Sequence, residues 1–244
     1  MKIVATIEAR MTSSRLPGKV LMEVLGKPML HHLISRLRAV PSLDAIVLAT
    51  TTNATDNVLV SFAESEGIAC FRGSEDNVME RVIGAADSVN ADVVVEITGD
   101  CPIIDHEIID QAIRMFLAHE ADYVSNVDIR SYPDGMDVQV VRLDTLKRSA
   151  SMTTDSLDHE HVTLHIRNHS ELFTKLHLVA PPELHWPELR LTLDEMADYE
   201  LLKRIIEYFG KDNPFFTCLD TVRLMRKNID WVEINRAVQS KGDT

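Results

Sequence analysis

Between Ala9 and Pro28 stand Arg10, Arg15, Lys19 and Lys27 against a single acid, Glu23. That is a local charge of +3 in a chain whose net charge is −13. Thr12, Ser13 and Ser14 add hydroxyl donors, and Pro17-Gly18 forces a turn. Backbone amides, hydroxyls and guanidinium groups gathered on one loop make a cradle for a polyphosphate. The bland alternative is a solvated basic loop. The stretch is neither a GxxxxGK[ST] phosphate loop nor a GxGxxG dinucleotide turn. As a solvent-facing loop lysine, Lys19 is expected to be replaceable by alanine without harm to the fold.

Two carboxylates lie where a triphosphate would need a counter-ion. The run VVVEITGDCPIID (93–105) ends an apolar strand in Gly99-Asp100, and LRLTLDEMADYE (189–200) places Asp194 directly after another apolar run. Magnesium is held by one or two carboxylates plus substrate phosphates, so Asp100 and Asp194 are candidate Mg2+ ligands. Each also precedes a helix and could be only a cap. Asp105 is read as a cap. The stretch HEHVTLHIRNH (159–169) sets His161, His165 and His169 at i, i+4, i+8, but Thr163 breaks the HExxH pattern, which disfavours zinc.

Short apolar runs must position these loops. Ile3–Ile7, Ala45–Thr50, Ile68–Phe71 and Asp92–Ile97 read as strands. They alternate with helical stripes over Met29–Leu37, Asn57–Glu66, Asp76–Val89 and Ile104–Ala118. That order demands an α/β fold, a mostly parallel sheet with helices on both faces. Ligands of such sheets sit beyond the carboxyl ends of the strands. The second half predicts strands over Gly135–Val141, Phe173–Val179 and Leu189–Leu193. It predicts helices over Asp155–Ser170, Glu195–Phe209, Leu219–Lys227 and Trp231–Val238. The 244 residues are read as one domain, with a lobe for acceptor binding or dimerisation around 130–185.

Net charge −13 argues against nucleic acid, which is bound through cations on its phosphates. No uncharged apolar run approaches membrane length, and MKIVATIEAR does not read as a signal peptide. Three widely spaced cysteines fit reduced core thiols, so a cytoplasmic location is expected.

IEARMTSSRLPGKVL (7–21) resembles the opening signature of the bacterial spore-coat-polysaccharide cytidylyltransferase-like family, relatives of the CMP-Kdo and acylneuraminate cytidylyltransferases. RGSEDNVMERV (72–82), ITGDCPIID (97–105), YVSN (123–126), YPDGMDVQVV (132–141) and HEHVT (159–163) follow in family order. The resemblance runs from Lys2 to about Tyr208. It implies a nucleotide-diphospho-sugar transferase fold, often dimeric, acting on CTP and a sugar acceptor with Mg2+. By that similarity Arg10, Arg15 and Lys19 hold the nucleotide phosphates, Ala9 and Ser14 also bind the nucleotide, and Arg72, Gly73, Ser74 and Asn77 line the nucleoside. Asp100, with Asp194, binds magnesium. Tyr132, Asp134, Asp137 and His161 face the sugar. Glu8 stands where many relatives carry Gln, Thr12 where many carry Gly, and Thr98 where the CMP-Kdo synthetases carry Gln beside the base.

The expected reaction is attack of a sugar oxygen on the α-phosphate of CTP with loss of pyrophosphate. Arg15, Lys19 and Asp100 carry the catalysis, and either Asp137 or His161 can serve as base. The rivals are transfer from another nucleotide, a glycosyltransferase of the same fold, or a silent nucleotide-binding regulator. Gly-Asp-Cys-Pro in place of a DxD motif disfavours the second. Retention of Arg15, Lys19 and Asp100 disfavours the third.

Overall fold

A computed structural model describes residues 1–210 and 212–238 of the chain. Its central sheet has seven strands. The first half contributes β1 (Ile3–Glu8), β4 (Ala45–Thr51), β5 (Ala69–Gly73) and β6 (Val93–Thr98). A two-stranded hairpin of β2 (Glu23–Val24) and β3 (Lys27–Pro28) follows the basic loop. The second half adds β7 (Tyr123–Ser125), β8 (Gln139–Arg142) and β9 (Lys175–His177). The strand order is β5-β4-β1-β6-β8-β7-β9, with β8 antiparallel to both neighbours and every other pair parallel.

Each apolar strand feeds both faces, because successive side chains point opposite ways. Ile3, Ala5 and Ile7 join one core with Val93, Val95 and Ile97. Over it lie α1 (Met29–Arg38), α2 (Asn57–Glu66), α4 (His106–Ala118), α8 (Met196–Phe209) and α9 (Cys218–Lys227). Val4, Val47, Ala49 and Val94 join the opposite core, covered by α3 (Val78–Ser88), α5 (Leu143–Met152) and α7 (Leu164–Asn168). After β5 the chain returns to the other side of β1 to form β6. The strand order therefore reverses at β1/β6, and the loops after these strands diverge to leave a crevice.

The mostly parallel α/β sheet follows the hydrophobic pattern. Several expected elements differ. The helix expected over 155–170 is two short ones, α6 (Ser156–Glu160) and α7, because Val162 between them takes a left-handed φ of 40°. The break separates the histidines: His165 and His169 stack with ring centroids 4.3 Å apart. The strand expected over Leu189–Leu193 reduces to one bridge, Arg190 to Asp134. Gly135 makes that approach possible: a Cβ on it would lie 2.7 Å from the Leu191 carbonyl. β8 begins at Gln139, later than Gly135, and the last helix, α10 (Ile229–Val232), ends before Val238.

Arg36 on α1 fastens the 214–216 segment. Its guanidinium donates to the carbonyls of Phe216 (2.8 Å) and Pro214 (3.1 Å) and lies 4.1 Å from the Phe216 ring centre. Burial draws its pKa down to about 10. We expect Arg36→Met to strand those carbonyls and destabilise the fold by about 2–4 kcal/mol, at about 1–3 kcal/mol per orphaned group. An unchanged midpoint in urea unfolding would contradict it.

Candidate active site

The crevice beyond β1 and β6 is a cleft of about 280 Å3. Its walls include Ala9, Arg10, Ser13, Ser14, Arg15 and Lys19 from the basic loop, and Thr98, Gly99 and Asp100 after β6. Glu8, Val20, Val78, Arg81, Glu160, His161 and Asp194 complete it. The loop is held by its ends and its middle. Gly18 N donates to Met11 O (3.0 Å) with Gly18 at φ 73°, which glycine adopts without a Cβ clash. Met11 N donates to Asp56 Oδ1 at 2.8 Å, while the Asp56 carboxylate also accepts from the hydroxyls of Thr50 and Thr51. Glu75 accepts from Arg10 (3.1 Å), Thr12 (2.7 Å) and Asn53 (2.6 Å) and ties the loop to the turn before α3.

Lys19 does not face solvent, contrary to the loop reading. Its side chain is 11% exposed, with Nζ 3.1 Å from Asp100 Oδ2 and 2.9 Å from Asp194 Oδ1. Burial alone would lower its pKa, but the two carboxylates more than reverse that, so it stays firmly charged. Asp194 also meets Arg15 NH2 at 2.9 Å and accepts from Arg190. Burial would raise Asp194, yet Lys19, Arg15 and Arg190 hold its pKa below the usual carboxylate value. Neither carboxylate caps a helix: Asp105 caps α4, as the sequence suggests, and Glu195 caps α8 in a reciprocal box with Asp198.

Arg190 passed unnoticed in the sequence. Buried, it donates to Asp134 (3.1 Å), Asp198 (3.1 Å) and Asp194, and so aims Asp194 at Lys19. Its signal was an arginine four residues before the aspartate in LRLTLD, at the crowded end of a short apolar run.

Other expected residues are placed elsewhere. Arg72 is folded onto the carbonyls of Thr51 and Asn53 and onto Asn57, each at 2.8 Å. Ser74 Oγ accepts from Asn77 N at 3.0 Å, and Asn77 Oδ1 caps α3 by accepting from Glu80 N. Ser74 and Asn77 thus build the turn between β5 and α3, Arg72 braces the 51–57 segment, and neither they nor Gly73 line the cleft. Tyr132 is 5% exposed and belongs to the core. Asp134 lies on Arg190. Asp137 is half-buried, and its desolvation together with Asp134 pushes its pKa up to about 7. Of the four residues expected to face a sugar, only His161 lines the cleft.

On the α3 side of the cleft, Glu8 and Glu96 bring two carboxyl groups within hydrogen-bonding reach. Burial, then each other's charge, drives Glu8 well above the ordinary carboxylate range, and burial likewise raises Glu96. Glu96 accepts from Gln139 Nε2, whose Oε1 accepts from Tyr123 and Thr163.

Raised carboxyl pKa values have a definite linkage sign. A carboxyl whose folded pKa exceeds its unfolded value binds more protons folded, so its stabilising effect is present at low pH and is lost as pH rises. For Asp137 the window runs from about 4 to about 7. Glu8 and Glu96 act in the same direction. We expect unfolding free energy to fall across this window. Asp137→Asn should flatten the slope by up to about 1.4 kcal/mol per pH unit. Urea titrations at pH 4.5 and 7.5 giving the same slope for both proteins would contradict the assignment.

The family model for cytidylyltransferases matches residues 4–232. The spore coat polysaccharide biosynthesis protein SpsF of Bacillus subtilis is 34% identical over 93% of this chain and 95% of its own. The solved structure of a cytidylyltransferase from Leptospira borgpetersenii superposes with a TM-score of 0.90 at 30% identity, over 99% of both chains. A CMP-2-keto-3-deoxy-manno-octonic acid synthetase structure, complexed with CTP, shares the fold at a TM-score of 0.61 and 18% identity, over 86% of this chain and 100% of that one. Among the described residues no helix is long and apolar enough to cross a membrane. The sheet, the basic loop after β1, the two aspartates at its far wall and these matches agree: the chain belongs to the cytidylyltransferase family and is a nucleotidyltransferase.

Proposed function

We propose that the cleft binds CTP and transfers its CMP group to a hydroxyl of an acidic or amino sugar, releasing pyrophosphate, in the building of a polysaccharide or glycan. One observation carries the reading: carboxylates from two separate loops converge on a single cation, Lys19 Nζ, at 3.1 and 2.9 Å, under a basic loop. The names of SpsF and of the synthetase complexed with CTP support the same substrate classes.

Asp100 and Asp194 fit a magnesium ion. They are hard oxygen donors, side chains 26% and 18% exposed, already facing one positive charge. Two protein carboxylates plus phosphate oxygens are the usual magnesium set. When bound there, the ion would neutralise phosphate charge and polarise the α-phosphate. The chain's own residues do the rest. Arg10, Ser13 and Ser14 orient the triphosphate, and Arg15 and Lys19 neutralise the departing pyrophosphate. Such transfers depend on positioning and charge more than on covalent help. The new bond joins the sugar oxygen to the α-phosphorus, and the α–β phosphoanhydride bond breaks. The hydroxyl proton must leave. Of the two candidate bases His161 lines the cleft and Asp137 does not, so geometry favours His161.

Thermal unfolding with each nucleotide is the test. A ligand at a hundred times its Kd stabilises by about 2.7 kcal/mol. CTP with magnesium should raise Tm clearly, and CTP alone less. Greater stabilisation by ATP or GTP at equal concentration would remove the cytidine assignment. Pyrophosphate release across a panel of acidic and amino sugars then identifies the acceptor.

A further inference from the structure

Glu8 and Glu96 make a donor problem that only a proton solves. Glu8 Oε1 is enclosed and among the described residues meets no N–H or O–H donor, while Glu96 already accepts from Gln139. Adjacent enclosed carboxylates cannot both stay ionised. One proton shared between them, carried by Glu8 and given to Glu96, satisfies both. The other oxygen of Glu8, on the cleft wall, is then an acceptor and nothing else.

Arg81 supplies the opposite polarity. It is 3% exposed and also lines the cleft, and one of its terminal nitrogens is spent on the carbonyls of Ser74 and Glu75. Its enclosed Nε–H has no partner among the described residues. Buried donors of this kind are costly unless something meets them. Val78, one turn before Arg81 on α3, adds an apolar side chain to the same wall.

Glu8 and Ala9 point to opposite faces of the sheet, as adjacent strand residues do. Thr98 and Gly99 divide likewise, since Glu8 pairs with Thr98. The cleft therefore has two corners: the lysine–aspartate corner on one side, and Glu8, Thr98, Val78 and Arg81 on the other. If the first takes phosphates, the second is left for the flat end of the nucleotide.

We propose that Glu8 and Arg81 read the nucleobase, Glu8 accepting from the exocyclic amino group of cytosine and the Arg81 guanidinium donating to ring N3. Uracil reverses both positions: its O4 meets an acceptor and its N3–H meets a donor. Cytosine is selected over uracil by mismatch as much as by attraction. The inference rests on the reading that the cleft takes CTP.

The test is binding by calorimetry, in magnesium, with the whole chain. The wild-type protein should bind CTP at least about tenfold more tightly than UTP, within the range a bidentate base contact provides. It should also prefer CTP by a similar factor over the analogue lacking the 4-amino group, 2-pyrimidinone riboside triphosphate. Glu8→Gln keeps the pattern, because its amide donates to Glu96 and its carbonyl faces the cleft, so the CTP:UTP ratio should survive. Glu8→Leu should bring that ratio within about threefold of unity. Equal binding of CTP and the des-amino analogue by the wild type overturns the proposal without any variant. An unchanged ratio in Glu8→Leu overturns it too. If no pyrimidine nucleotide binds the wild type, the CTP reading itself fails and takes this inference with it. If CTP binds but the ratio in Glu8→Leu does not move, the base-reading proposal falls and the CTP reading stands.

Discussion

Replacing Lys19 by alanine should slow nucleotidyl transfer by roughly 10²–10³-fold, the usual cost of losing one preorganised charge contact in a transition state. The side chain sits 2.9 Å from Asp194 and 3.1 Å from Asp100 and opens on the cleft. No nearby residue stands in for it, because Arg15 is engaged with Asp194 and Glu195. The variant should also pay in stability, contrary to the reading of Lys19 as a solvated loop residue. Without the ammonium, Asp100 and Asp194 face each other with less compensation, and a loss of about 1–3 kcal/mol is expected. At about 2–4 °C per kcal/mol for a chain of this size, calorimetry resolves that easily. Magnesium should recover more of the midpoint in Lys19→Ala than in the wild type, because the ion no longer competes with a resident charge. A variant with normal turnover would return the loop to a solvated basic stretch. One that lost activity but not stability would show that the ion triad is weaker than its distances suggest.

Asp100→Asn should abolish nearly all magnesium-dependent turnover and leave the unfolding midpoint within about a degree of wild type. Asparagine keeps the shape and most hydrogen bonds but not the charge, and magnesium held by one or two carboxylates tolerates that poorly. Among the described residues Asp100 has one charged partner, Lys19, so little else is disturbed. Asp194→Asn differs in kind. Its carboxylate is shared by Lys19, Arg15 and Arg190, and its loss leaves clustered cations with less counter-charge. We expect comparable loss of turnover together with a clear drop in stability, about 2–4 kcal/mol, as when one partner of a mostly buried ion cluster is removed. The two substitutions thus separate a ligand from a ligand that is also a structural hub. Helix capping predicts nothing for either, since asparagine caps as well as aspartate and neither residue is a cap here. A nucleotide-bound crystal structure with neither carboxylate within about 2.0–2.1 Å of magnesium, nor one water removed, would end the metal assignment.

The strand–helix alternation of the first half and the loops that follow β1 and β6 were legible in the chain, whereas the strand order that reverses between them was not. The pairing of Asp100 with Asp194 was legible too, because both follow apolar runs, although only the first of those runs is a strand. Asp105 as a cap was legible for the same local reason. These are consequences of side-chain period and of residue types that act within a few positions of themselves. What tertiary structure alone decided lies at longer range. Lys19 reads as solvated until Asp100 and Asp194 enclose it from positions 81 and 175 residues away. Arg72 and Asn77 look like ligand contacts by motif, yet Arg72 binds the neighbouring 51–57 segment and Asn77 caps α3. Glu8 and Glu96 each look like one more acid in a chain of net charge −13, and only the β1–β6 register sets them diagonally on one face. The helix pattern over 155–170 was continuous in sequence, and Val162 broke it at the cleft. Periodicity reports which face of an element is buried. It carries no information about which partner, from a distant part of the chain, will share that burial and settle the charge.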